Sequence, residues 1–318
     1  MKNNQLQTSP IDLVYLWVNG NDPVWREKRN RVIGNTKEKY AVNCEGRYAD
    51  NDELKYSLRS VDLYAPWINR IFIVTDNQVP GWLDTTNPKI QIVDHTEILP
   101  EEALPCFNSG VIEHFIAHIP GLSEHFLYAN DDMFFNRPVT PDDFFAPDGL
   151  PYVRVNRRPL RKLQLWVKTN ILHKSLSNFN KKVQNAALMV EKRFGKYYSA
   201  KTHHNIDAYL KSECLKTAEI FKNELEATYS HHERNDSDIQ RSIYIYTAMA
   251  EGRCHPRYVS QKESLRVHIQ NPKHYPKLAA YNPLLFCMND SEYAHDEDRH
   301  RAAKFLQERF PEKSQFEK

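Results

Sequence analysis

Long hydrophobic runs are missing from this chain: no stretch approaches the roughly 20 apolar residues that cross a bilayer as a helix. The first ten residues, Met1 to Pro10, are polar and carry no apolar signal-peptide core. The expectation from both absences is a soluble, unexported, cytoplasmic protein. Cysteine is also scarce. Cys44, Cys106, Cys214, Cys254 and Cys287 are scattered, odd in number and never spaced C-x-x-C, which argues against a disulfide framework or a zinc knuckle. Nor is there an excess of charge of one sign: 43 basic against 41 acidic side chains leave a formal charge of +2. That balance excludes a chain dominated by nucleic-acid-type charge, and an apolar share of 41% excludes wholesale disorder. At 318 residues the chain is long enough for one large domain or two modest ones, each with a real core.

One absence is local. Between Asp148 and Glu191 there is no Asp or Glu, whereas Arg154, Arg157, Arg158, Arg161, Lys162, Lys168, Lys174, Lys181 and Lys182 crowd the same stretch with Tyr152, Trp166 and Phe179 among them. A run of one sign repels itself, so it reads as a basic surface for an anionic partner: nucleic acid, lipid headgroups or a phosphate-bearing polymer.

What is present before residue 150 is alternation. Apolar runs at Ile11 to Val18, Ile71 to Val74, Ile90 to Val93 and Phe126 to Ala129 have strand length, and helical patterns separate them. That is the sequence form of a parallel sheet with helices packed on it. Asp22 before Pro23 is placed to cap a helix through Val32. Asp50 to Glu53 has capping-box spacing ahead of Leu54, Leu58 and Val61. Each strand candidate runs into polar residues: Asn19 and Asp22, then Asp76, then Asp94 and His95, then Asn130-Asp131-Asp132. Loops are polar anyway, yet in a parallel sheet these ends share the edge where ligands of open α/β sheets bind. From about His203 to Ala250 the pattern is mainly helical.

Several of these residues are suited to chemistry. The Asp131-Asp132 pair at a strand end is the kind of rigid carboxylate mount that holds Mg²⁺ or Mn²⁺ against a diphosphate. Glu113 lies on the preceding helical segment. His114 and His118 have i, i+4 spacing, but with no third ligand evident they read as packing or surface histidines. The doublets His203-His204 and His231-His232 have charged neighbours, Asp207 for one, Arg234 and Asp238 for the other. A histidine can take a proton near neutral pH, and an arginine can fork onto phosphate oxygens.

The segments IDLVYLWVNGNDPVW (Ile11 to Trp25), RYADNDELKYSLRSVDLYAPWINRIFIVTDNQVPGWL (Arg47 to Leu83), LPCFNSGVIEHFIAHIPGLSEHFLYANDDMFF (Leu104 to Phe135), SHHERNDSDIQ (Ser230 to Gln240) and LLFCMNDSE (Leu284 to Glu292) together resemble the four conserved regions of the Stealth family of sugar-phosphate transferases, in the family's order. The resemblance implies an α/β, GT-A-like (Rossmann-like) nucleotide-sugar-binding core over residues 1–150. A basic and helical catalytic or acceptor region would follow over 151–250, and a segment over 251–318 would return to the site. It also implies transfer of a hexose or N-acetylhexosamine 1-phosphate from a UDP-sugar to a glycan or lipid-linked glycan acceptor, releasing UMP, with no nucleic acid beyond the nucleotide. A lipid-linked acceptor would put the protein at the inner membrane face.

Carried onto this sequence, the family's active site falls on Glu113, Asp132, Arg234 and a histidine at His203 or His204, with His203 preferred and Asn205 standing where relatives have proline. Asp131, Asp132, Asn289 and Asp290 would hold Mg²⁺ or Mn²⁺. Asn19, Gly20, Asp22, Arg59 and Asp76 would contact the uridine end, and Asp238 would join substrate binding beside Arg234. A metal-dependent glycosyltransferase releasing UDP is the rival in chemistry. A non-catalytic protein binding anionic polymers is the rival in class, and it leaves the strand-end acids unexplained.

Overall fold

The computed structural model describes residues 9–34 and 50–318; residues 1–8, Cys44 and the start of the second resembling segment at Arg47 lie outside the described residues. Strands β1 (Ile11–Leu16), β2 (Ile71–Thr75), β3 (Ile90–Asp94) and β4 (His125–Asn130) are the apolar runs of the sequence. They pair in parallel in the order β3-β2-β1-β4. The register sets Leu13 beside Ile71 and Leu127, and Val14 beside Phe72 and Tyr128. Side chains alternate across a strand, so Val14, Phe72, Phe126 and Tyr128 enter one core while Leu13, Tyr15, Ile71, Ile73 and Leu127 enter the other. Burial on both faces is why these strands read as continuous apolar runs. Asp12, a carboxylate within this apolar layer, is buried but accepts hydrogen bonds from Asn69, the Arg70 amide and the Ser123 amide at 2.8 to 3.1 Å.

The sheet takes a fifth strand from much later in the chain. After β5 (Met133–Phe135), β6 (Tyr152–Asn156) and β7 (Lys201–Thr202), β8 (Asp207–Leu210) pairs antiparallel to β4 on the sheet's outer edge. Strands β9 (His255–Tyr258), β10 (Ser264–His268) and β11 (Leu285–Asn289) complete two small sheets, ordered β10-β11-β5 and β7-β6-β9. Helices Asn178–Phe194 and Ser242–Ala250 pack on each other in the first core through Val183, Ala187, Ile243 and Tyr246.

Helix Pro23–Ile33 starts as its sequence dictates, with Asp22 Oδ1 accepting the Val24 amide at 2.9 Å and proline where no donor is needed. Helix Glu53–Tyr64 starts differently from the capping box expected at Asp50. Asp52 precedes it in the left-handed region (φ 65°), and the Glu53 carboxylate turns back onto Asn51, taking its amide at 2.7 Å and its side-chain Nδ2 at 2.8 Å. The acid at the end of β3 is spent on structure: Asp94 caps the short helix His95–Ile98 in a reciprocal box with Glu97. It therefore does not join the other strand-end acids at the ligand edge.

The basic stretch is also less of a surface than its composition implies. Arg154 is buried, donating to the Asp143 carbonyl at 2.6 Å and stacking over Phe144; Arg161 and Lys182 are buried too. Lys162 pairs with Glu191, and Lys181 with Asp236. What stays basic and outward is centred on Arg157, Arg158 and Lys174. No helix among the described residues is long and apolar enough to cross a membrane.

Candidate active site

At the carboxyl ends of β1 and β4 a cleft of about 430 Å³ opens, and a smaller one of about 140 Å³ adjoins it, sharing Ser109, Asn130, Asp131 and Arg234 with it. The smaller cleft is floored by Trp17, Trp25 and Phe107, two indoles and a phenyl ring of the kind that face a planar base. The larger holds charge of both signs: Glu53, Glu113, Asp131, Asp132 and Asp290 against Lys182, Arg234, Arg241 and Arg266, with His203 and His204 among them.

The acidic side is built on the turn between β4 and β5. Asp131 Oδ1 accepts the Asp132 amide at 3.0 Å, and β11 clamps the loop from the other side, the Met288 amide donating to the Asp132 carbonyl at 2.9 Å. Cys287 Sγ donates to Asp132 Oδ2 at 3.2 Å, while Asp132 Oδ1 is buried with no partner among the described residues. Burial pushes both aspartates above the usual carboxylate range, with repulsion from Asp132 and Glu53 adding to it at Asp131 and repulsion from Asp290 at Asp132. Glu53 is pushed up to about 7, mainly by burial. Close carboxylates held off their ordinary ionisation are the electrostatic complement of a cation. Asp132, His204 and Cys287 also bring a carboxylate oxygen, a ring nitrogen and a sulfur within 4.8 Å of one another. Burial holds the Cys287 thiol protonated well past its ordinary pKa, so it acts toward Asp132 as a donor.

Opposite stands a chain of buried ionic contacts. His203 uses both ring nitrogens, Nε2 to Asp207 at 2.7 Å and Nδ1 to the Ser264 hydroxyl at 3.3 Å. The other oxygen of Asp207 meets Arg241 Nη1 at 2.7 Å. Arg241 lies over the Tyr128 ring and 4.0 Å from Glu113, which accepts the Tyr128 hydroxyl at 3.1 Å. The arginine and histidine hold Asp207 ionised despite its burial. With His203 committed in this way, the neighbouring ring is the one turned toward Asp132. Burial and the Arg266 and Arg241 charges hold His204 well below its ordinary pKa, so its ring is neutral.

Arg234 reaches the shared wall from the loop after Tyr229, its Nη2 donating to Ser109 Oγ at 3.0 Å. That loop is pinned by Asp238, which accepts from Asn108 Nδ2, the Asn235 amide and His231 Nδ1 at 2.8 to 2.9 Å. Asp238 is thus buried beneath the loop and lines neither cleft. Lys182 Nζ sits above Gly110, where a Cβ would come to 3.0 Å from it and push the ammonium aside by a few tenths of an ångström.

The remaining expectations divide. Asn19, Gly20 and Asp22 lie just past the segment Leu16 to Val18 that lines the smaller cleft, but Asn19 and Asp22 are tied to Gln78, and Asp22 is already the helix cap. Asp76 pairs with Lys28 at 2.5 Å and leaves its second oxygen buried without a partner among the described residues, near His95, which lines the smaller cleft. Arg59 is elsewhere: it forks onto Glu317 at 2.7 Å twice and caps the Phe310 carbonyl. Asn289 and Asp290 do line the cleft, but Asp290 is spent on Arg299 at 2.9 Å and on the Ser291 amide. His114 packs as expected of a core histidine, bonded to Tyr244 and the Ile239 carbonyl. Sequence reasoning passed over Glu53, Arg241 and Arg266 as cleft residues. Asp207, four residues after His203, carried a signal in that spacing.

Family models match two parts of this chain, Stealth protein conserved region 1 over residues 9–37 and conserved region 2 over 47–153. A capsular polysaccharide phosphotransferase of Haemophilus influenzae is 34% identical over 92% of this chain and 81% of its own length. The chain belongs to the Stealth family. Exopolysaccharide phosphotransferases of Streptomyces coelicolor and Mycobacterium tuberculosis are 36% and 35% identical over 97% of the chain, covering 52% and 58% of their own lengths. The chain thus spans little more than half the length of these two Stealth relatives. A solved galactosyltransferase, LgtC, overlays it at a TM-score of 0.47 with 11% identity over 94% of the chain and 95% of its own. Two later segments read as Stealth regions, Ser230 to Gln240 and Leu284 to Glu292, contribute Arg234 and Asn289 to the cleft.

Proposed function

We propose that this chain transfers a hexose or N-acetylhexosamine 1-phosphate from a UDP-sugar to a hydroxyl of a glycan, as part of capsule or exopolysaccharide synthesis. The observation that carries the reading is the composition of the cleft: paired aspartates on one wall, Arg234 and Lys182 on another, and a neutral histidine between them. The acceptor oxygen attacks the sugar-bearing β-phosphorus as its proton passes to a ring nitrogen of His204. The bond from that phosphorus to the bridging oxygen breaks, and UMP leaves with the electron pair. Arg234 and Lys182 neutralise charge on the transferring and leaving phosphates. Glu113, held by Tyr128 and Arg241, faces the sugar hydroxyls. The aromatic floor of the smaller cleft takes the uracil, and the unpartnered oxygen of Asp76 is the polar group near that end.

The donors present suit a hard divalent cation: Asp132 has an unused oxygen, and Asp131 beside it is destabilised without a counter-charge. Asp131 and Asp132 would hold Mg²⁺ or Mn²⁺, with Asn289 at hand. The ion would supply charge neutralisation on the diphosphate. Asp290 is left out of the ligand set because Arg299 holds it.

Product identity tests the reading. Purified protein with Mg²⁺ or Mn²⁺, a panel of UDP-hexoses and UDP-N-acetylhexosamines, and glycan acceptors is expected to release UMP and form a phosphodiester. Release of UDP with a plain glycosidic bond would overturn it in favour of glycosyl transfer. Polymer binding with neither nucleotide released would favour a binding protein.

A further inference from the structure

The segment from Pro159 to Lys174 has a surface that the reaction does not use. It forms one short helix, Arg161–Trp166, continued by a wider turn over Val167–Ile171. Leu160, Leu163, Val167 and Ile171 follow the i, i+3, i+7, i+11 spacing of a single helical stripe. In a soluble helix that stripe faces the core. Here Val167 is half-buried, but Leu160, Leu163 and Ile171 of the stripe, with Trp166 and Leu172 beside them in sequence, are each between 54% and 60% exposed. Five large apolar side chains, each more than half exposed, fall between residues 160 and 172, a density unlike the scattered exposed leucine that any surface tolerates. Around it stand Arg157, Arg158, Lys168 and Lys174, while the next carboxylates in sequence are Asp148 on one side and Glu191 on the other.

We infer that residues 157–174 are a peripheral membrane anchor that lays this helix into the surface of an anionic bilayer. The chemistry fits that occupant on two counts. An apolar stripe with a tryptophan suits the boundary between headgroups and acyl chains, where an indole can bury its ring and keep its N–H wet. A rim of lysine and arginine, in which Lys162 is paired with Glu191 while Arg157, Arg158 and Lys174 stay outward, is complementary to anionic headgroups. A second copy of this chain would bring the same cations against themselves, and a polar glycan would leave the leucines wet. The anchor adjoins the cleft: Asn178 and Phe179, a few residues on, line it. A bilayer-bound enzyme would then meet an acceptor carried by lipid through this anchor alone, needing no spanning helix to do so.

The test is sedimentation with vesicles, free of donor and acceptor, so that its failure leaves the transfer reaction untouched. The chain is expected to pellet with phosphatidylcholine vesicles containing phosphatidylglycerol on the order of tenfold more than with phosphatidylcholine alone, and less as salt is raised. The variant carrying Leu163→Gln, Trp166→Gln and Ile171→Gln should lose that binding with its Tm unchanged, because the replaced side chains are exposed. Arg158→Glu with Lys174→Glu should lose it as well, a second route should the first variant fold poorly. Wild-type protein that stays in the supernatant with anionic vesicles overturns the anchor. So does equal pelleting by both variants, or a dimer that the glutamine variant dissociates while vesicle binding persists.

Discussion

Glu53 stands at the acidic wall with a carboxyl pushed up to about 7 from an ordinary 4.5, chiefly because it is buried. A carboxyl raised on folding binds its proton more tightly in the native state. Its contribution is full below pH 4.5 and is lost as pH rises through 7, where the folded protein must bury a charge. At 1.36 kcal/mol per unit, the 2.5-unit difference is worth about 3.4 kcal/mol in full, and the part lost between pH 5 and pH 8 is about 2.5 kcal/mol. Glu53→Gln removes the titration. It keeps one oxygen for the Asn51 donors and misplaces the other, at a cost of about 1 kcal/mol independent of pH. Thermal unfolding of wild type and variant in metal-free buffer is the assay. With an unfolding entropy of about 2.1 cal/mol/K per residue, the difference in Tm between them should move by about 4 °C in the variant's favour from pH 5 to pH 8. A pH-independent difference would show that the acids at this wall are not held against their ionisation. Added Mn²⁺ should raise the Tm of wild type more at pH 8 than at pH 5.

Two further outcomes separate residues that build the site from residues that fill it. Arg59→Ala strands the nearly buried Glu317 and should cost about 3 kcal/mol of stability, read as a fall in Tm, while the KM for a UDP-sugar stays unchanged; a raised KM would return Arg59 to the donor site. Asp238→Ala removes the acceptor for three donors and the partner of Lys182, so it should lower Tm by several degrees and weaken donor binding through the loop that carries Arg234. An unaltered Tm would mean that the loop is held by something else.

The core sheet was legible because its strands are buried on both faces, so Ile11, Ile71, Ile90 and Phe126 announce them with unbroken apolar runs. The small sheets were not: β7 and β9 are short and half-exposed, and only pairing across more than a hundred residues defines β5 with β11. At the cleft, the Asp131-Asp132 pair could be read because its chemistry is contiguous. Arg241 could not, because its meaning comes from Asp207 and Glu113, which the fold alone brings to it. The same blindness made Arg154 look like surface: a guanidinium's burial depends on a carbonyl and a phenyl ring contributed by another loop. Arg59 shows the converse, a residue within a resembling segment whose partners lie at 310 and 317.

The clamp on the Asp132 loop sets an order of events in synthesis. The turn that carries both aspartates emerges early, yet the strand that fixes it, β11, emerges about 150 residues later, as the Met133 to Cys287 pairing requires. At 5 to 20 residues per second, that interval is on the order of ten seconds or more on the ribosome. During it the four parallel strands can already be assembled, with Phe134 and Phe135 still uncovered by Phe286 and Leu285. A nascent chain stalled before residue 285 would therefore hold a nearly complete sheet but an unfinished acidic wall, and it would be a natural client for chaperones that recognise bare aromatic strands.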